Sequence, residues 1–399
     1  MRNREEIAAK AKLDFTNTEL TFRNQTNGQL RKSAFLFRFM SHPQLVNVAN
    51  SLAMSMVRIK FPIAWAVKPT LYKQFVGGET LHECLPALDY LKADNICSIL
   101  DYSAEADSGN VDYESIIKET TNSINFAKDN DAIPFAVFKP TALANTNVLK
   151  KVSFGRALTE DEQKDFQHFK ERMNRLAEAA AKARTRLLVD AEDFWYQKAI
   201  DDVVYELMQK YNQETAIVFN TWQMYRNDRL DHLKETIAAG RKDHIKIGIK
   251  LVRGAYMEKE RERALKEGYP SPINPDKAAT DHDYNSALEL CVENLDMVEV
   301  FNGTHNEFSN AFLAGLIVEK GLPKNHPGIW FSQLYGMSNH ITSQLASKGY
   351  NVTKYVPYGP VNEVLPYLSR RAKENTSVKG QTGRELSMIK KEILRRRSK

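Results

Sequence analysis

What most constrains this 399-residue chain is an alternation of two textures that sets in after Asp94. Eight short runs rich in Val, Ile, Leu and Phe lie at residues 96–100, 135–138, 186–189, 216–219, 247–252, 297–301, 329–331 and 351–355. Between and after them come longer stretches of helical periodicity: 113–128, 161–185, 196–210, 229–239, 278–293, 307–319, 340–348 and 362–374. Runs that stay apolar without polar alternation predict strands buried on both faces, the condition of a parallel sheet covered by helices. Eight such units predict an α/β fold closed as a (β/α)8 barrel of the TIM type, with an open doubly wound sheet as the alternative. The open sheet usually carries a glycine-rich phosphate loop after its first strand. Neither G-x-G-x-x-G nor G-x-x-x-x-G-K-[ST] occurs here. Residues 1–92 have no strand texture. Their apolar positions step by three and four, as at Leu36, Phe39, Met40 and at Leu45, Val48, Leu52, which predicts an N-terminal helical segment wrapping or flanking the barrel. The expected organisation is helices over 1–92, barrel over 93–376 and a basic tail over 377–399.

Composition removes several classes. The longest apolar run, 61–67, contains Pro62 and falls far short of the ~18 residues of a membrane-spanning helix. Three scattered cysteines (Cys84, Cys97, Cys291) argue against a disulfide framework and for a reducing compartment. Eight of the nine histidines show no H-x-x-x-H or H-E-x-x-H spacing, so no metal site is expected. The opening Met-Arg-Asn-Arg-Glu-Glu has neither an apolar core nor the acid-poor character of a transit peptide, which leans toward a bacterial, cytoplasmic chain. Of the net charge of +6, the last eleven residues supply +5, with six Lys or Arg against one Glu. The remainder is about neutral, so no nucleic-acid partner is expected; the tail reads as solvated, with an anionic membrane surface as its other reading.

In a barrel of this kind, polar residues at the C-terminal ends of strands face the active-site mouth. Those ends carry Asp101 and Glu105, Lys139, Asp190 and Glu192, Asn220, Lys250 and Arg253, Thr304-His305-Asn306, Gln333 and Tyr355. Any one of them reads as a solvated loop residue; their recurrence at the same end of all eight units does not. On the last helix Tyr367, Arg370, Arg371 and Glu374 fall at i, i+3, i+4 and i+7, one helical face. Paired guanidinium forks suit a carboxylate or phosphate. The stretch 149–171 is longer than a minimal strand-to-helix loop and reads as a lid or partner surface.

Together, Ile249-Lys-Leu-Val-Arg-Gly-Ala-Tyr256, Gly303-Thr-His-Asn306, Gln333-Leu-Tyr-Gly-Met337 and the segment from Tyr355 through Pro357-Tyr-Gly-Pro360 to Arg370-Arg371 resemble proline dehydrogenase, in its monofunctional, mitochondrial-like branch. The resemblance spans roughly residues 95–376 and implies FAD-dependent oxidation of L-proline to Δ1-pyrroline-5-carboxylate, the first step of proline catabolism. Hydride would pass to flavin N5 and electrons on to a membrane quinone. It implies that Arg370 and Arg371, helped by Lys139, clamp the proline carboxylate, while Tyr355, Tyr367, Tyr256 and Leu334 surround the ring. It implies FAD contacts from Asp190, Asn220, Lys250, Arg253, Gly254, Ala255, Tyr256, Thr304, His305, Asn306, Gln333 and Glu374, with Asp190 and Lys250 joining Lys139 as catalytic residues. Asp101 and Glu105 would steady Lys139 or gate the mouth. Lys250 stands where the bifunctional bacterial branch has arginine, and Asn220 where that branch has glutamine. Bulky Tyr355 implies proline over hydroxyproline. The implied location is cytoplasmic and peripheral at the inner membrane, with the matrix side of the mitochondrial inner membrane as the alternative. A Schiff-base lyase using Lys139 or Lys250 is the rival chemistry.

Overall fold

In a computed structural model, the protein is described over residues 3–58, 63–103, 112–128, 130–377 and 381–398. Eight parallel strands close into a barrel in chain order: β1 (Cys97–Tyr102), β2 (Phe135–Phe138), β3 (Arg186–Val189), β4 (Val218–Gln223), β5 (Ile247–Val252), β6 (Val298–Gly303), β7 (Ile329–Leu334) and β8 (Val352–Tyr358), the last pairing back onto the first. The closed barrel replaces the open-sheet alternative. Alternate side chains along each strand point to opposite faces. Those turned inward, among them Ile99, Val137, Leu188, Phe219, Phe301 and Tyr355, gather about Phe135, whose ring meets Phe219, Phe301 and Trp330 edge-on at 5.1–5.5 Å. Those turned outward form the larger core against the helical layer.

β4 runs past its apolar stretch, from Val218 to Gln223, because each polar side chain at its far end is satisfied in place. Thr221 Oγ1 donates to the Val189 carbonyl (2.7 Å), Asn220 Nδ2 to Asp201 (2.8 Å) and Gln223 Nε2 to the Glu192 carbonyl (2.8 Å). A satisfied polar group does not end a parallel ladder. The 149–171 stretch is not an open loop. Asn145 caps a short helix, Thr146–Ser153, which buries Val148 and Leu149 and packs on the helix Phe194–Tyr211. A capping box at Thr159 and Glu162 then starts the 24-residue helix Glu160–Ala183.

The chain's two ends form a second core on the barrel's flank. Phe22, Leu30, Phe37, Tyr72 and Phe75 pack with Val364, Tyr367, Leu368, Met388 and Ile389. The last segment is therefore no solvated tail but a helix, Gln381–Arg397, seated on the helix Asn27–Met40. Its Arg395 and Arg396 both bind buried Glu392, at 2.8 and 2.7 Å, and hold that carboxyl down at about 2. Arg396 also donates to the carbonyls of Phe22 (2.7 Å) and Gln25 (2.6 Å), at the end of the helix Thr18–Phe22. Much of the basic charge is thus spent on folding. Glu385 enters the barrel wall, where it accepts from the Ser338 amide and lies beside Lys354. No described helix is long and apolar enough to cross a membrane.

Candidate active site

The mouth of the barrel is built from inward-facing residues at the strand tips. On β5, Ile247, Ile249 and Leu251 pack outward, so Lys250 turns in, its Nζ 5.1 Å from the Tyr355 ring centre. That ammonium binds Asp190 Oδ1 at 2.5 Å, while Tyr355 OH donates to Asp190 Oδ2 at 3.0 Å. Lys139, just past β2, lies 3.7 Å from Asp190 Oδ2 and 3.3 Å from both oxygens of Asp101, which also accepts from Ser103. Burial alone would push the Asp190 carboxyl up; the Lys250 and Lys139 ammoniums, with the bonds from Lys250 and Tyr355, outweigh it and hold the group below the usual carboxylate range. Burial would likewise pull Lys139 down, but Asp101, Asp190 and Glu192 raise it, so it stays charged. A raised ammonium is the opposite of the lowered one that activates a Schiff-base lysine, which counts against Lys139 in that role.

Beside this cluster, Tyr256 OH donates to Glu192 Oε2 (3.0 Å) and Thr141 to Glu192 Oε1 (2.6 Å). Burial raises the Glu192 carboxyl, opposed by those bonds and by Lys139. The helix Val361–Ser377 closes the mouth from the side. Its Tyr367 is buried, with the Arg371 guanidinium 5.4 Å from the ring centre. Arg370 acts electrostatically on Tyr256, Tyr367 on Tyr355, and Arg371 on His305, so this one helical face is turned toward the strand tips. Leu334, at the end of β7, packs against both the barrel interior and the core around Tyr367.

After β5 the chain turns sharply. Gly254 has φ +137°, and a Cβ there would lie 1.8 Å from the Tyr225 ring, so no side chain fits. The Ala255 amide donates to Gln223 Oε1 at 3.1 Å. Arg253 is held by Asp281 (2.6 and 2.9 Å), Thr304 Oγ1 (2.7 Å) and Ser309 (3.0 Å), over the Tyr284 ring. His305 Nδ1 pairs with Ser338 Oγ at 2.8 Å. Burial, then Lys354 and Arg371, pull its imidazole down to about 3, so the ring is neutral. Asn306 caps the helix Glu307–Glu319 through the Ser309 amide (2.9 Å).

Two expected site residues point elsewhere. Asn220 is turned out of the barrel, donating to Asp201, which Arg229 also binds at 2.7 Å. Gln333 too faces the helical layer, bonded to the Thr304 carbonyl (3.2 Å), Asn310 (3.3 Å) and Thr342 (2.7 Å). In both cases strand parity decides: neighbours of an inward residue point outward. The inward glutamine is Gln223, which the sequence reading passed over because it ended β4 too early; its even spacing from Phe219 is the signal. Glu192 was noted there without a role. Glu105 lies outside the described residues, as does the side chain of Glu374.

The donor set at the mouth fits a flavin. Lys250, Arg253, the Gly254–Ala255 backbone, Gln223, Thr304 and neutral His305 together offer cations, amides and neutral donors to the polar edge of an electron-accepting ring system and to a pyrophosphate.

The sequence profile of the proline dehydrogenase family matches residues 84–384. A protein of Pectobacterium carotovorum subsp. carotovorum, the carbapenem antibiotics biosynthesis protein CarD, is 33% identical over 322 residues, 81% of this chain and 83% of its own. Human mitochondrial proline dehydrogenase 1 is 41% identical over 241 residues, 60% of this chain, and the match takes in 40% of the human protein. Hydroxyproline dehydrogenase of Xenopus laevis is 30% identical over 412 residues, covering 94% of this chain and 88% of that one. Among solved structures, proline utilization A of Bdellovibrio bacteriovorus, inactivated by N-propargylglycine, superposes with a TM-score of 0.74 over 97% of this chain and 44% of its own; at 19% identity it shares the fold. With the family profile covering three-quarters of the chain and ending inside the C-terminal helix, this protein belongs to the proline dehydrogenase family, as an enzyme of that class.

Proposed function

We propose that the enzyme oxidises L-proline to Δ1-pyrroline-5-carboxylate with bound FAD and hands the two electrons to a membrane quinone. The reading is carried by the Lys139–Asp190–Lys250 cluster, capped by Tyr355, facing a helix that presents Tyr367, Arg370 and Arg371. Proline is a small zwitterion with a saturated ring. Its carboxylate suits the two guanidiniums, and its ring suits a cage of Tyr256, Leu334, Tyr355 and Tyr367.

The chain's own residues do three things in this reading. Arg370 and Arg371 fix the carboxylate, which orients the neighbouring carbon. The cationic surroundings, Lys139 included, favour loss of the substrate's ammonium proton, leaving the amine lone pair available. Lys250, Arg253 and Gln223 hold the flavin, which when bound supplies the electron sink that no side chain offers. The Asp190–Lys250 pair locks the ammonium in place rather than leaving it to water. Asp190 is thus a positioning residue for Lys250 and Tyr355.

Substrate choice follows from Tyr355. Its ring is buried and its hydroxyl is fixed on Asp190, so it resists displacement by a 4-hydroxyl, which favours proline over hydroxyproline. The test is steady-state turnover of the FAD-loaded protein with each substrate and a soluble quinone analogue. Cyclic imine product from L-proline, formed several-fold more efficiently than from hydroxyproline, is expected. No product with L-proline under any acceptor contradicts the assignment.

A further inference from the structure

Between Glu19 and Glu79 the chain has no Asp or Glu, yet it carries eight Lys or Arg. Elsewhere acids are dense: 50 in 399 residues, so a stretch this long would ordinarily hold about seven. The same stretch holds much of the exposed apolar surface of the described residues. Among the described residues, five of the seven large apolar side chains more than half exposed lie here: Phe35, Leu45, Val48, Leu52 and Trp65.

Their placement is ordered. In the helix Pro43–Arg58, Leu45, Val48 and Leu52 occupy one stripe at i, i+3 and i+7, continued by Ala49 and exposed to solvent, while Val46 on another face is buried. The usual arrangement is thus reversed, with an apolar stripe looking outward. Exposed Arg31, Lys32, Arg38 and Lys73 lie on the adjoining segments. The helices carrying Phe35, the Leu45 stripe and Trp65 all pack on the helix Val361–Ser377, which bears Tyr367, Arg370 and Arg371.

We infer that the surface formed by this acid-free stretch docks the enzyme onto an anionic lipid bilayer, with the apolar stripe and Trp65 entering the headgroup boundary and the basic residues facing lipid phosphates. An outward apolar stripe on a helix, a tryptophan and neighbouring basic residues, on a stretch that itself carries no acid, are the features of an interfacial helix. Lipid phosphates complement the exposed Arg31, Lys32, Arg38 and Lys73. The surface backs the substrate-clamping helix, so docking sets the barrel mouth beside the membrane that holds the proposed acceptor. The inference deepens the quinone reading and relocates the membrane contact away from the C-terminal helix, whose Arg395 and Arg396 are already paired.

The test uses the FAD-loaded full chain with vesicles of phosphatidylcholine alone or mixed with phosphatidylglycerol. Phosphatidylglycerol vesicles should bind the protein, and brominated acyl chains should quench the fluorescence of Trp65; the other tryptophans sit in the barrel or its core. W65F should remove that quenching. The triple variant L45E/V48E/L52E should bind these vesicles at least about tenfold more weakly, with soluble-acceptor turnover unchanged. K390E/R397E, on the C-terminal helix, should bind like the wild type. Absence of wild-type vesicle binding overturns the inference, as does full binding by the triple variant or loss confined to K390E/R397E. A wild-type dimer that the triple variant dissolves would assign the surface to a second copy and overturn it too. Soluble-acceptor turnover reads the dehydrogenase assignment separately, so the two fail independently.

Discussion

Polar residues on adjacent strands serve opposite ends in this barrel. On β5, Lys250 turns inward and meets Asp190 and the Tyr355 ring. On β4, Asn220 turns outward and meets Asp201, Arg229 and the helical layer. Both are polar and buried, and both donate to an aspartate carboxylate. The outward group is satisfied within the protein: Asp201 accepts from Gln197 (2.7 Å), Asn220 and Arg229. The inward group has its charges fixed but faces a helix that can bring further cations. Depth and polarity therefore do not distinguish a site from a brace here; parity along the strand does.

The largest effect should come from breaking the inward group. Lys250→Met removes a preorganised cation beside the flavin site and should lower turnover with proline about 100–1000-fold, with FAD content measured alongside. Near-normal turnover would make Lys250 a brace like Asn220. Arg371→Met should raise the proline KM at least about tenfold, since a charged hydrogen bond contributes roughly 1.5–3 kcal/mol; a KM within about threefold would remove the carboxylate clamp from Arg371. Tyr355→Ser should raise kcat/KM for hydroxyproline relative to proline by about three- to thirtyfold, as a side-chain-sized space opens in the cage. An unchanged ratio would place the selectivity elsewhere.

The outward group should answer differently. Asn220→Ala leaves Asp201 short of a donor and should cost about 1–3 kcal/mol in denaturant unfolding, while kcat/KM stays within about twofold. Lost activity at normal stability would sink the parity argument. The smallest effect concerns His305. Its folded imidazole sits at about 3, below the ordinary 6.5. As pH falls below 6.5 the unfolded chain takes up a proton that the folded one refuses, so stability drops on acidification through that window and is unaffected above it. His305→Gln should flatten the fall between pH 6.5 and 5 by no more than about 2 kcal/mol.

The barrel itself was legible because eight apolar runs alternating with helical stretches admit few arrangements. The helix face of Tyr367, Arg370 and Arg371 was legible for the same reason, a fixed period. Strand ends were not. Asn220, Thr221 and Gln223 look like loop residues, and only their partners in space keep them in β4. One misplaced strand end exchanged Gln223 for Asn220. The C-terminal helix was hidden by its own arginines. Glu385, Met388, Ile389 and Glu392 step at i, i+3, i+4 and i+7, a buried stripe that basic composition masked. Its Glu385 reaches the Ser338 amide while Ser338 Oγ pairs with His305, a link between chain end and site that no local pattern encodes.

The central claim is that the inward residues hold a flavin and proline together. It is tested most directly by the visible spectrum of the FAD-loaded protein as L-proline is added without oxygen. The flavin band should bleach with proline, and should do so with Asn220→Ala but far more slowly with Lys250→Met. A band that stays oxidised in the wild-type protein at saturating proline would contradict it.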